Sequence, residues 1–272
     1  MKTLYVSDLD GTLLRSDETI SQYTGEVMNR LTEQGMLFSY ATARSYVTSK
    51  KVTKSIDAKI PLIVYNGALV IDNVTGQVLL SNFFGPEVKE VLDELIKNDI
   101  YPIVYAYIDG IEKFSYLEDQ CTRGMTAFLN TRKGDERTNV VADEKQLYQG
   151  DIFYVTCIDE EEKLKPLYEK YKDKYHCVFE RDIYTKEQWF EIMPANASKA
   201  NAIRQLKEYL GCNKLVVFGD GKNDIDMFEM ADECYAVENA VDELKALATK
   251  VIAGNNEDAV AKWLEKNYGG SK

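Results

Sequence analysis

The stretch Val6-Ser7-Asp8-Leu9-Asp10-Gly11-Thr12-Leu13-Leu14 decides the fold. It sets two carboxylates, Asp8 and Asp10, beside a glycine turn directly after an apolar strand at residues 3–7. Side chains two apart on an extended segment point the same way, so Asp8 and Asp10 are expected to converge at the strand's carboxyl end. Open α/β sheets bind ligands at that edge. Two adjacent negative charges there need a cation.

Residues 214–228, Lys-Leu-Val-Val-Phe-Gly-Asp-Gly-Lys-Asn-Asp-Ile-Asp-Met-Phe, repeat the pattern: an apolar strand over 215–218, a Gly-Asp-Gly turn and a helix opening near Asn223. Asp220 falls at the strand tip, and Asp224 about one helical turn beyond it on the same side. Asp8, Asp10, Asp220 and Asp224 together suit a hard, octahedral, partly hydrated ion, so the expected metal is Mg2+. The single histidine, His176, and five scattered cysteines argue against zinc.

Further strands are expected at 36–41 and 62–65, with helices at 20–34, 45–54, 199–210 and 223–230. Strand and helix alternate, which predicts an α/β fold with a Rossmann-like, mostly parallel core. Asp8, Thr42, Asn66 and Asp220 then all follow strand tips on one edge. Residues 70–71 and 78–80 read as a hairpin leading out of this core. Between them and the second half of the core the texture changes to α+β: helices at 86–98, within 118–129 and at 160–171, and strands near 103–107, 112–116, 152–157, 177–181 and 189–192. The expected division is a core over 1–82 and 190–272 with an inserted cap domain at 83–189. A motif-free insertion suggests a cap that closes over the site, excludes water and selects the leaving group. The basic cluster Arg123, Arg132, Lys133 and Arg137 within it could meet a second anionic group on the substrate, but reads first as a solvated face.

Composition agrees with a globular enzyme. The 272 residues are 45% apolar and 29% charged. No apolar run of about 20 residues occurs and Met1-Lys2 leads straight into a strand, so neither a membrane span nor a signal peptide is expected, and the expected location is the cytoplasm. An odd number of dispersed cysteines fits reduced thiols. A formal charge of −12 argues against nucleic acid as a partner. Monomer and homodimer are both compatible with the composition.

In its order of motifs the chain resembles the haloacid dehalogenase superfamily phosphatases, of the Cof-type branch (subfamily IIB) with a large inserted cap. The first motif, Asp-x-Asp-Gly-Thr, is Asp8 to Thr12. The second is Thr42 within Ser39-Tyr40-Ala41-Thr42-Ala43-Arg44, the third is Lys199 opening a helix, and the fourth, Gly-Asp-x-x-Asn-Asp, is Gly219 to Asp224. Tyr65-Asn66-Gly67-Ala68 and Ala236-Val237-Glu238-Asn239-Ala240 fit the branch as well. Two glycines of the branch pattern are replaced, by Ala43 and Glu238, which is expected to affect substrate fit and not reaction type.

The residue types suit hydrolysis of a phosphate monoester, whose charge a carboxylate nucleophile can approach only with a metal and in-line geometry. Asp8 is the expected nucleophile, forming an aspartyl-phosphate that water opens. Asp10 is the expected acid and then base. The resemblance implies that Asp10 offers the metal its backbone carbonyl. Thr42 and Lys199 are expected to hold the phosphoryl oxygens, with N–H groups around Leu9 and Gly11 adding donors. Asp220 is an expected direct ligand, and Asp224 a ligand of the metal or its waters. Asn223 could orient an acid or the phosphate, Ala43 and Asn66 lie in motifs expected to line the substrate, and Arg44 is an expected contact for the active-site acids or the substrate. The expected activity is a Mg2+-dependent phosphatase acting on a small phosphorylated metabolite, foremost a sugar phosphate. Phosphoryl transfer to a second sugar, as in phosphomutases, and a non-catalytic sugar-phosphate sensor are the alternatives. Release of inorganic phosphate separates the first, and survival of function in Asp8→Asn the second.

Overall fold

The computed structural model describes residues 2–181 and 186–268. The chain forms two compact units, one running to Ser81 and resuming at Ser198, the other Asn82–Ala197.

In the first unit the chain runs through β1 (Thr3–Ser7), α1 (Gln22–Glu33), β2 (Leu37–Tyr40), α2 (Tyr46–Val52), β3 (Leu62–Val64), β4 (Leu69–Ile71) and β5 (Val78–Ser81). The second unit holds α3 (Val88–Lys97), β6 (Ile103–Ile108), β7 (Ile111–Tyr116), α4 (Arg123–Asn130), β8 (Thr138–Val140), β9 (Asp151–Asp159), α5 (Glu161–Tyr171), β10 (His176–Arg181) and β11 (Gln188–Met193). The first unit then continues with α6 (Lys199–Tyr209), β12 (Lys214–Gly219), α7 (Ile225–Met230), β13 (Glu233–Ala236), α8 (Asp242–Leu247), β14 (Lys250–Val251) and α9 (Ala259–Asn267).

The core sheet has the order β14-β13-β12-β1-β2, with every pairing parallel. Its central strands β1 and β12 are apolar on both faces because both are covered. Leu4, Val6, Leu215 and Val217 pack with Ile203 and Leu206 of α6 on one side. Phe38, Tyr40, Val216 and Phe218 pack with Val27, Leu31 and Leu264 of α1 and α9 on the other. α1 buries Val27, Met28 and Leu31 on one stripe and starts at Ser21, whose side chain accepts the Thr24 N–H. β1 lies between β12 and β2, so the tips bearing Asp8, Asp220 and Thr42 are neighbours.

β3 departs from the expected plain parallel strand. It joins β4 and β5 in an antiparallel three-stranded sheet and touches the core sheet through a single parallel bridge, Ala41 to Ile63. Leu62-Ile63-Val64 is wholly buried, and an apolar run reads alike in either pairing.

The sheet of the second unit has the order β10-β11-β9-β6-β7-β8, antiparallel except for β7 with β8. Val91, Leu92 and Leu95 of α3 and Leu164 and Leu167 of α5 pack with Val104, Val155 and Phe190. The chain returns to the first unit at Ser198, later than the expected passage at 189/190, because β11 is hydrogen-bonded between β9 and β10. The expected solvated basic face is corrected at Arg137. This side chain is buried, with NH1 2.6 Å from Glu112 and NH2 2.7 Å from Asp135. Among the described residues no helix is long and apolar enough to cross a membrane.

Candidate active site

Asp8 leaves the end of β1 with its N–H bonded to the Phe218 carbonyl, 2.9 Å away, so the first acid is registered against β12. A single wide helical turn, Leu9–Leu13, follows, broken by Asp10 (ψ 121°) and Gly11 (φ +78°). A Cβ on Gly11 would lie 2.3 Å from Asp220 Oδ2, so the turn tolerates only glycine here. The next side chain, Thr12, donates its hydroxyl to Asp220 Oδ1 at 2.9 Å.

The fourth motif folds onto its own last acid. Asp224 Oδ2 accepts the N–H groups of Asp220 and Gly221, both at 3.0 Å. Its Oδ1 accepts from Lys199 Nζ at 2.8 Å. Lys199 opens α6 behind Ser198, whose side chain caps the helix by accepting the Asn201 N–H. The same ammonium reaches Asp8 Oδ1 at 2.6 Å. Asp8, Asp220 and Asp224 each offer an oxygen within 4.8 Å of the others.

Three carboxylates around one ammonium carry a net charge of about −2 when ionised, a mismatch that burial makes expensive. Burial pushes the Asp8 carboxyl well above its ordinary range, against the pull of Lys199 and with the push of Asp224 and Asp220. Asp220 is pushed up to about 6 by burial, with Thr12 opposing and Asp224 adding. Lys199 keeps its proton more firmly than a free lysine: burial works against the charge, and Asp224 and Asp8 outweigh it. The donor set is all oxygen and lacks two positive charges, which fits a hard divalent cation.

The Asp10 carboxylate does not converge with Asp8. The helical turn starts at Leu9, which ends the two-residue alternation and swings Asp10 toward Arg44, whose Nε lies 2.8 Å from Oδ2 and NH2 2.5 Å from Oδ1. Glu18 joins this pair at 2.9 Å. Thr42 is buried at the tip of β2. Its Oγ1 accepts the Arg44 N–H at 3.1 Å, which leaves its own proton to donate. Its carbonyl accepts the Asn66 N–H at 2.9 Å, and the Arg44 carbonyl accepts that of Tyr65 at 3.0 Å. Tyr65, Asn66 and Gly67 are all left-handed, with φ of 52°, 51° and 94°. Backbone strain of this kind persists where surrounding bonds over-determine it. Ala43 and Asn223 are exposed beside these groups in sequence, Asn223 in the turn Lys222–Asp224.

Three residues of this region had no expected role. Glu18 holds Arg44. Asn239 donates from Nδ2 to the Gly11 carbonyl at 2.7 Å, and Asn255 donates from its N–H to Asn239 Oδ1 at 3.0 Å. The only sequence signal among them is Asn239, which stands in the stretch Ala236–Ala240 shared with the branch.

Comparison with known proteins agrees with this geometry. Residues 5–264 match the haloacid dehalogenase-like hydrolase family. Among curated proteins, 5-amino-6-(5-phospho-D-ribitylamino)uracil phosphatase YitU of Bacillus subtilis is 26% identical over 276 residues, covering 97% of each chain. The phosphatase YwtE of the same organism, named for the same compound, is 28% identical over 284 residues, again covering 97% of each. Among solved structures, that of TM0651 from Thermotoga maritima superposes with a TM-score of 0.79 at 28% identity, covering 98% of this chain and 97% of the other. The chain belongs to the haloacid dehalogenase-like hydrolase family, in its Cof-type branch, and is a phosphatase of that family.

Proposed function

We propose that the protein is a Mg2+-dependent phosphatase that transfers the phosphoryl group of a small metabolite to Asp8 and then to water. The observation that carries the reading is the buried group of Asp8, Asp220 and Asp224 around the one ammonium of Lys199. Asp8, Asp220, Asp224 and the Asp10 carbonyl would hold the cation, which when bound supplies charge screening between the nucleophile and the phosphate.

Asp8 Oδ attacks phosphorus as the bond to the leaving oxygen breaks, and the Asp10 carboxyl gives that oxygen a proton. Water then attacks the phosphorus of the aspartyl-phosphate, Asp10 takes the water's proton, and Asp8 is freed with inorganic phosphate. Throughout, Lys199 Nζ and the Thr42 hydroxyl hold phosphoryl oxygens, with the N–H groups near Leu9 and Gly11 as neutral donors. Arg44 holds Asp10 bidentately until substrate arrives. Asn66, Asn223 and the Ala43 backbone line the approach of the substrate. The residues of 82–197, which contribute none of these groups, act as the cap and select the leaving group.

Sugar and sugar-alcohol phosphates are the substrate class to test first, since YitU and YwtE are both named for a phosphoribityl compound. The test is phosphate release from a panel of sugar phosphates, ribityl phosphates and nucleotides, with magnesium or a chelator, by the native chain and Asp8→Asn. Magnesium-dependent release that disappears in the variant is the expected result. Binding of a panel member without release by either protein sinks the proposal.

A further inference from the structure

We propose that Asn239, locked by Asn255, is a positioning residue for Asp220 and so sets the affinity of the site for its divalent cation. The inference rests on the metal-dependent reading above.

Asp220 lies against one peptide unit. Its Oδ1 receives the Thr12 hydroxyl at 2.9 Å, and its Oδ2 faces the Gly11 Cα so closely that a Cβ would stand 2.3 Å away. The Gly11 carbonyl belongs to the plane that joins these two residues. Whatever fixes that carbonyl therefore fixes the surface on which both carboxylate oxygens rest. Asn239 does so, donating from Nδ2 at 2.7 Å.

The amide has one possible orientation. Asn239 Oδ1 accepts the Asn255 N–H at 3.0 Å, so its NH2 must be the end that meets Gly11. Asn255 then closes the ring, donating from Nδ2 to the Leu14 carbonyl at 2.9 Å, while the Leu14 N–H bonds to the Leu9 carbonyl at 2.8 Å. The turn after the nucleophile is thus held from outside at Gly11 and at Leu14 by two asparagines far from it in sequence. Asn239 is exposed, so packing gives it little other work in the fold. Asn256 next door also straps this segment, accepting the Ser16 N–H at 3.0 Å and donating to Ser16 Oγ at 2.9 Å, but among the described residues it makes no hydrogen bond to Gly11 or Thr12.

The test is Mn2+ binding, read by the electron paramagnetic resonance of free manganese, for the native full-length chain, Asn239→Ala, Asn239→Leu and Asn256→Ala. Both Asn239 variants are expected to keep the native melting temperature and to bind about 10- to 100-fold more weakly, the usual effect of removing a group that orients a metal ligand. Leucine matches asparagine in shape and lacks the donor, so a packing role would be rescued by it and a positioning role would not. Native affinity in either Asn239 variant overturns the inference. An equal loss in Asn256→Ala also overturns it, because the effect is then a general loosening of the strap. If the native chain binds no manganese, the metal-dependent reading falls first and this inference with it.

Discussion

Gly67 is packed directly on Ser198: a Cβ at Gly67 would lie 2.1 Å from the Ser198 carbonyl oxygen. The left-handed turn after β3 is thereby wedged against the residue that caps α6 and precedes Lys199. Gly67→Ala must strain a φ of 94° and push backbone from backbone, with no flexible side chain to yield. The expected loss is roughly 2–4 kcal/mol, from the left-handed penalty and overpacking together. Urea denaturation should show a lower midpoint at an unchanged slope; a native midpoint would falsify the wedge.

Lys199 is the only cation bonded to Asp8 and Asp224 among the described residues, and all three side chains are almost inaccessible. Lys199→Met therefore strands two buried carboxylates. In chelator the variant should lose about 3–5 kcal/mol, as when one partner of a buried pair is removed. Adding Asp8→Asn to it should restore part of that loss, since one stranded charge is then gone. Additive losses in this double-mutant cycle would mean that the two residues do not interact energetically.

The acids of the site were legible in the sequence because Asp8 and Asp220 each follow an apolar strand, strand tips of a parallel sheet share an edge, and Asp224 stands about one turn beyond Asp220. Asp8, Asp220 and Asp224 meet for that reason. The direction of Asp10 was not legible, since the extended alternation stops at Leu9 and no composition signal marks where a strand becomes a turn. Asn239 and Gly11 are separated by 228 residues, and a hydrogen bond of that span leaves no local periodicity. The antiparallel pairing of β3 is hidden for another reason: a fully buried strand shows no polar face from which its partners can be inferred. Arg137 looked like a surface residue because its partner Glu112 stands 25 residues earlier on β7, with the rest of that strand and α4 between them.

That burial makes Arg137 a stability determinant of the second unit. Its guanidinium also faces the Phe114 ring at 5.8 Å. Arg137→Met leaves Glu112 and Asp135 poorly solvated and without this cation, and should destabilise by about 3 kcal/mol. Lys133→Met, at an exposed position with no ion pair among the described residues, should stay within about 0.5 kcal/mol of native. Equal effects of the two in thermal denaturation would return Arg137 to the solvated surface.

Asp220 gives the metal-free protein a pH dependence of definite sign. Its carboxyl is held up to about 6 in the folded chain, first by burial and then by the balance of Thr12 against Asp224. In the unfolded chain it titrates near its ordinary value of about 4. Between those values the folded state binds the proton more tightly, so the contribution to stability is complete below about pH 4 and is lost as pH rises through about 6. Asp220→Asn removes this group's share of the slope. In chelator, the melting temperature of the native chain should therefore fall relative to the variant between pH 4 and 7. A bound divalent cation stabilises the ionised carboxylate in place of the proton, so excess magnesium should recover the native chain at pH 7 and leave Asp220→Asn largely unchanged. Parallel curves for the two proteins in chelator would show that Asp220 is not the group that couples protons to folding. An equal gain from magnesium in both would show that the ion does not need its carboxylate.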